Sequence, residues 1–313
     1  MNADRFRVTC MLSVLVCAVA PAMDLTVVSW NVDSGSADPA VIAERMAALD
    51  GVDLWGLCEV ENSSWAQQFE RAAEDDEPGD FYSFLGTTGG SDKLLILYDS
   101  DQFTELERFE VGWAGRRGYR PTLNWREPLV VRLRHKATGL EFFFMVNHLD
   151  RGRSGHSGLL DQAEALNAWA AEQTLPIVAV GDYGFDWVLD PGHDEKNYEK
   201  GFGHMTRNAV FSWVFPEPLI ATHCSDDNSI DDFVFLANAA GAITGSAEVL
   251  EVSGDCPDTT VAPAHRPVRT VLTVGSNDDN DDEPSLKEQI LQRIAQLERE
   301  LAELKALVER LAD

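Results

Sequence analysis

A carboxylate, an amide or an imidazole stands at one end of apolar run after apolar run in this 313-residue chain. VVSWNVDSG closes on Asn31 and Asp33. LCEVEN closes on Glu59, with Glu61 near. FMVNHLD closes on Asn147 and His148, and VAVGD on Asp182. In NSIDDFVF a run starts after Asp231, and in APAHRPVRTV one starts after His265. Taken singly, each is an ordinary loop-capping or solvated residue. Taken together, they put one polar group per strand in an order compatible with a single sheet edge. A histidine beside a carboxylate suits proton transfer, because the carboxylate fixes the ring tautomer and stabilises the imidazolium. Oxygen donors without a Cys/His cluster suit Mg2+ or Mn2+, with Ca2+ also admissible, rather than zinc.

The motifs SWN, CEVE, NHLD, GDYG, SIDD and AHRPV, in this order, resemble the endonuclease/exonuclease/phosphatase superfamily over about residues 24–274. The resemblance implies the DNase I-like fold, a four-layer α/β/β/α sandwich with its site at one end of two packed sheets. It also implies hydrolysis of a phosphodiester or phosphomonoester assisted by a divalent metal. By the same resemblance Glu59 is the metal carboxylate, with Asn31 and Asp33 beside it. His265 is the base that activates water, and Asp231 orients its ring. His148 donates to the phosphate, and Asp182 lies near the attacking water or the leaving group. Asn147 shares the NHLD motif and is assigned to substrate. Arg126, in WREPLVV, resembles an arginine that precedes a core strand and neutralises phosphate; an ordinary surface arginine is the alternative.

Two positions depart from the pattern. Gly184 stands where Gly-Asp-x-Asn expects the asparagine that donates to the phosphoryl oxygen. Losing one such donor typically costs on the order of 100- to 1,000-fold in rate. Ala264 stands where Ser-Asp-His-x-Pro-Val expects a carboxylate. Three readings follow. The enzyme is active through substitutes such as Asp186, Asp255, Asp258 or a second metal ion. It is slow, relying on Glu59, Asp231 and His265. Or it is inactive, a displayed module that binds metal or phosphate. Retention of Glu59, Asp231 and His265 favours hydrolysis.

Strands and helices must alternate to bring these groups together. LTVVSW, DLWGLCEV, KLLILYD, PLVVRL, LEFFFMVNHL, PIVAVGD, DFVFLA and RPVRTVLTV read as strands. PAVIAERMAALD and LLDQAEALNAWAAEQ carry apolar residues at helical spacing. The run ending at Gly181-Asp182 is read as turning through Tyr183 and Gly184.

Flanking segments give the chain its context. Residues 1–22 place Arg5 and Arg7 before an apolar run and end in Ala20-Pro21-Ala22, the layout of a signal peptide. That layout implies a secreted or periplasmic location, with an ordinary buried N-terminal element as the alternative. No later segment is apolar enough to span a bilayer. Cys58 reads as a buried thiol, and Cys224 and Cys256, in polar loops, as a disulfide suited to an oxidising compartment, with two unrelated free thiols as the alternative. Residues 275–284, GSNDDNDDEP, form an acidic linker. Residues 285–313 carry heptads with Ile290, Leu297, Leu304 and Leu311 at d, and Ile294, Leu301 and Val308 at a. That pattern favours a parallel dimeric coiled coil, with a trimer or a fold-back onto the domain as alternatives.

The net charge of −28 counts against tight duplex-DNA binding, because phosphate contacts need Lys and Arg. One basic and aromatic stretch, residues 112–127, interleaves Arg116, Arg117, Arg120 and Arg126 with Trp113, Tyr119 and Trp125. It suits either phosphates and bases or pairing with the chain's own carboxylates.

Overall fold

The computed structural model describes residues 23–74, 80–112, 126–150, 157–189, 199–224, 229–239, 241–251 and 263–275. The signal segment, the linker, the heptad segment, most of the basic aromatic stretch, Asp255, Cys256 and Asp258 lie outside them. Within them the chain runs β1 (Met23–Asn31), α1 (Pro39–Ala47), β2 (Leu54–Val60), α2 (Ser63–Glu74), β3 (Phe81–Leu85), β4 (Lys93–Asp99), β5 (Phe103–Glu110) and β6 (Leu129–His135). It continues through β7 (Glu141–His148), α3 (Ser157–Ala171), β8 (Ile177–Val188), α4 (Glu199–Met205), β9 (Phe211–Trp213), β10 (Ser229–Ala237), β11 (Ile243–Val249) and β12 (Val268–Val274).

The strands form two six-stranded sheets, β11-β12-β1-β2-β4-β3 and β5-β6-β7-β8-β10-β9. β1 with β2 and β7 with β8 are parallel, and the other pairs are antiparallel. A parallel neighbour needs a crossover, and α1 and α3 supply it in the two sheets. The sheets face each other across a layer containing Leu25, Val27, Phe144, Val146, Val180 and Val234. The outer face of the first sheet packs Val28, Trp30 and Trp55 against Ile42, Met46 and Phe69 of α1 and α2. The outer face of the second packs Met145, Tyr183 and Phe235 against Leu159 and Leu166 of α3. Both faces of the central strands are buried, so they read as unbroken apolar runs rather than as an alternation.

Strand parity carries this pattern into the polar end. Leu25 and Val27 face inward, so Asn31 does too; Phe144 and Val146 carry His148 inward, and Val178 and Val180 carry Asp182. β8 does not turn at Gly184 as the sequence reads. It continues to Val188, pairing Trp187 and Val188 with Ile230 and Ser229 of β10.

Candidate active site

Two irregularities bring further carboxylates to the inner face. Leu57 and Val60 both pack on the outer side of β2, two same-facing residues separated by three positions. The register with β4 shifts between them, and Glu59 adopts φ 60°. This bulge releases Glu59 from the outer face, where strict alternation would leave it, toward Asn31 and His148. A second shift lies between Ile230 and Asp232 of β10. Ile230 packs on the outer side, whereas Asp232 continues the inward row of Val234 and Leu236. Such bulges recur beside active sites, where they re-aim a side chain.

Asp182 is the hub. Its Oδ2 accepts from Asn31 Nδ2 at 2.9 Å and lies 3.4 Å from His148 Nε2 and 3.8 Å from His265 Nε2. Its Oδ1 accepts from the Gly184 N–H at 2.9 Å. Asn31 Nδ2 also donates to Glu59 Oε1 at 3.1 Å, and His148 Nε2 lies 3.8 Å from the same oxygen. The parallel register sets His148 directly beside Asp182. Gly181 makes that approach feasible: it holds φ 133°, and a Cβ there would lie 1.9 Å from the Asn147 carbonyl oxygen. Side chains from both sheets thus form one continuous array.

His265 Nδ1 pairs with Asp232 Oδ2 at 2.8 Å. The carboxylate on the ring is therefore Asp232, not Asp231. The break in register between β8 and β10 beside Ile230 decides between these neighbours, and Asp231 Oδ1 instead accepts the Asp186 N–H at 2.9 Å. Burial opposes charge on the His265 ring, yet Asp232 foremost, with Asp182 and Asp231, pushes its pKa up to about 10. Burial also raises the Asp232 carboxyl, with the His265 charge opposing. The pair accordingly keeps a proton at neutral pH. The His265 carbonyl accepts from Trp30 Nε1 at 2.8 Å, which anchors the loop to the first sheet.

The remaining sequence assignments fall at the margin. Asn147 faces outward, opposite in parity to His148, and donates to the Tyr183 hydroxyl at 3.0 Å beneath α3. It is a core residue, not a substrate contact. Asp33 is half-buried; its N–H donates to Asn31 Oδ1 at 3.0 Å, and its Oδ2 accepts from Ser36 Oγ at 2.6 Å. It shapes the turn that orients the Asn31 amide instead of adding its carboxylate to Glu59. Arg126 directs its guanidinium to the carbonyls of His148 (3.2 Å) and Leu149 (3.5 Å) and to Asp92 (3.3 Å). It braces the His148 backbone. Cys58 is a free buried thiol, as its apolar strand implies. Cys224 is disulfide-bonded, with its partner cysteine outside the described residues.

Gly184 follows Asp182 by two positions and donates its N–H to that carboxylate, with no side chain of its own to add to the array. Sequence reasoning missed His223, whose ring centroid lies 4.6 Å from that of His265. Its partner is distant in the chain, and no motif contains it.

No family model matches the sequence, and no curated protein matches it. Solved structures do. An endonuclease/exonuclease/phosphatase family protein from Bacteroides thetaiotaomicron aligns with TM-score 0.60 at 17% identity, over 81% of this chain and 99% of its own. D. rerio TDP2 in complex with single-strand DNA product aligns with TM-score 0.60 at 17% identity, over 80% of this chain and 98% of its own. The mannosyl-6-phosphatase Bt3783 of Bacteroides thetaiotaomicron aligns with TM-score 0.56 at 19% identity, over 79% and 99%. At these identities the likeness establishes the fold, the DNase I-like sandwich of endonuclease/exonuclease/phosphatase proteins.

Proposed function

We propose that this chain hydrolyses a phosphate ester with a divalent cation held at Glu59. The observation that carries the reading is the array Asp232–His265–Asp182–His148–Glu59, with successive separations of 2.8, 3.8, 3.4 and 3.8 Å. Solved neighbours named as a mannosyl-6-phosphatase and as a 2',3'-cyclic phosphatase share the fold that holds it.

The donor chemistry fits Mg2+ or Mn2+. Burial raises the Glu59 carboxyl above its usual range, the Asn31 amide opposes that shift, and the Asp182 charge adds to it. A cation beside Glu59 relieves that cost. Among the described residues no group of three or more His, Cys, Asp or Glu side chains is placed to hold a metal ion by itself. Mg2+ commonly takes one or two carboxylates and fills its shell with water and substrate phosphate. When bound, it neutralises phosphate charge and polarises the P–O bonds.

The chain's own groups do the rest. Asp232 accepts from Nδ1–H of His265, which leaves Nε2 facing Asp182 and the reacting centre. The ring carries the proton: it gives it to an oxygen of the phosphoryl group, or accepts one from water once deprotonated. Asp182 orients water between the two imidazoles. His148 donates from Nε2 toward the phosphate, its backbone held by Arg126. The test is release of p-nitrophenol from bis-p-nitrophenyl phosphate with Mg2+ or Mn2+. Wild type turns over, and H265A does not.

The second reading, an inactive metal- or phosphate-binding module, draws on Gly184 and Ala264. No turnover with any ion, alongside calorimetric binding of Mn2+, establishes it. The proposal also includes export directed by residues 1–22, a bridge from Cys224 to Cys256, and dimerisation through residues 285–313. The charge of −28 argues against tight duplex-DNA binding. No described helix is long and apolar enough to cross a membrane.

A further inference from the structure

Two consecutive residues, Thr222 and His223, touch both members of the Asp232–His265 pair. Thr222 Oγ1 accepts the N–H of Asp231 at 3.0 Å and of Asp232 at 3.2 Å. His223 faces His265 across an isolated antiparallel bridge. The flanking bonds are Cys224 N–H to Ala264 O and Arg266 N–H to Thr222 O, both 2.7 Å. Neither uses the N–H of His223 or His265, so these two form a non-hydrogen-bonded pair. In such a pair the side chains leave the same face at the closest spacing a ladder allows. The rings meet edge to face, with planes at 85°. His265 is 6% exposed, whereas His223 is half-buried and more open to solvent.

We propose that His223 is a substrate-contacting residue of this site, donating a ring N–H to a phosphoryl oxygen. The inference rests on the hydrolase reading. Position 184 offers no side-chain donor, and the Arg126 guanidinium is committed to backbone carbonyls and Asp92. An imidazole beside His265 restores a donor where phosphate charge develops. The 221–224 segment is rigid enough to place it: Arg266 Nη1 donates to Ala221 O at 2.8 Å, and Cys224 is disulfide-bonded.

The test separates donation from packing. H223F keeps a ring against His265 but has no N–H; H223Q keeps a donor but has no ring. With bis-p-nitrophenyl phosphate and Mn2+, H223F should lower kcat about 100-fold at unchanged Tm, and H223Q should retain most of the rate. Wild-type kcat in H223F overturns the inference, as does equal impairment of both variants. In a second arm, calorimetry with inorganic phosphate should show about tenfold weaker binding to H223F than to wild type. Equal binding overturns the inference. If wild type shows no turnover on any phosphate ester, the hydrolase reading fails, and the phosphate arm alone decides the role of His223.

Discussion

Gly184 is the residue whose replacement most directly tests the proposed hydrolysis. It adopts φ 55°, a left-handed conformation that asparagine tolerates better than other non-glycine residues, and its N–H still braces Asp182. Gly184→Asn should therefore fold normally and raise kcat by about 100-fold, returning a donor to the phosphoryl oxygen. Steady-state kinetics checks it, and an unchanged kcat means the array works without that donor. Asp232→Asn should lower kcat by about 100- to 10,000-fold by removing the carboxylate that orients the His265 ring and holds its proton. Asp231→Asn should cost far less, because Asp231 holds the backbone of Asp186 and not the ring. His265, Asp182, His148, Glu59 and Asn31 were legible because each closes or opens an apolar run within a recognisable motif. The choice between Asp231 and Asp232 was not, since the break in register between β8 and β10 reverses which neighbour faces inward. His223 was invisible because a lone histidine in a polar loop carries no local signal; only the bridge to His265 gives it meaning.

At the scale of elements, the site depends on how closely β7 and β8 run. Gly181→Ala should destabilise the fold by about 3 kcal/mol, because its Cβ would drive into the Asn147 backbone and the φ is unfavourable for any side chain. The midpoint of chemical denaturation measures it; an unchanged midpoint contradicts the geometry. The central strands were readable as continuous apolar runs because helices or the opposite sheet cover both faces. The edges were not. FTELERFE of β5 and ITGSAEV of β11 pair on one side only and carry polar residues outward, so their alternation is weak. FYSFL of β3 is short and also lies at a sheet edge. Helix α2 buries Trp65, Phe69 and Ala73 at helical spacing. Gly-Asp-Tyr-Gly has turn composition and reads as the end of β8, yet Tyr183 and Phe185 are buried among aromatics that hold the strand against β10.

For the whole molecule, two buried histidines set opposite limits on stability. His135 lies buried at the end of β6 remote from His148 and pairs through Nδ1 with Thr138. Burial lowers its pKa below the ordinary value of 6.5. The unfolded chain thus takes up a proton that the folded one resists, and stability falls as pH drops below about 6.5 toward the folded value. His265 runs the other way. Its raised pKa contributes stability that is full below 6.5 and lost as pH climbs toward about 10. Denaturation midpoints across pH should show both limbs, with the acid limb flattened in His135→Gln and the alkaline limb in His265→Asn. The layered sandwich was legible from motif order and the run of strands, whereas the terminal segments, the disulfide partner and the basic aromatic stretch lie outside the described residues. The most direct test of the account is turnover of bis-p-nitrophenyl phosphate with Mn2+ by wild type, Glu59→Gln and His265→Asn. Catalysis by wild type, lost by at least about 100-fold in both variants, is the predicted result. Wild-type turnover no faster than buffer, or turnover that survives intact in both variants, contradicts it.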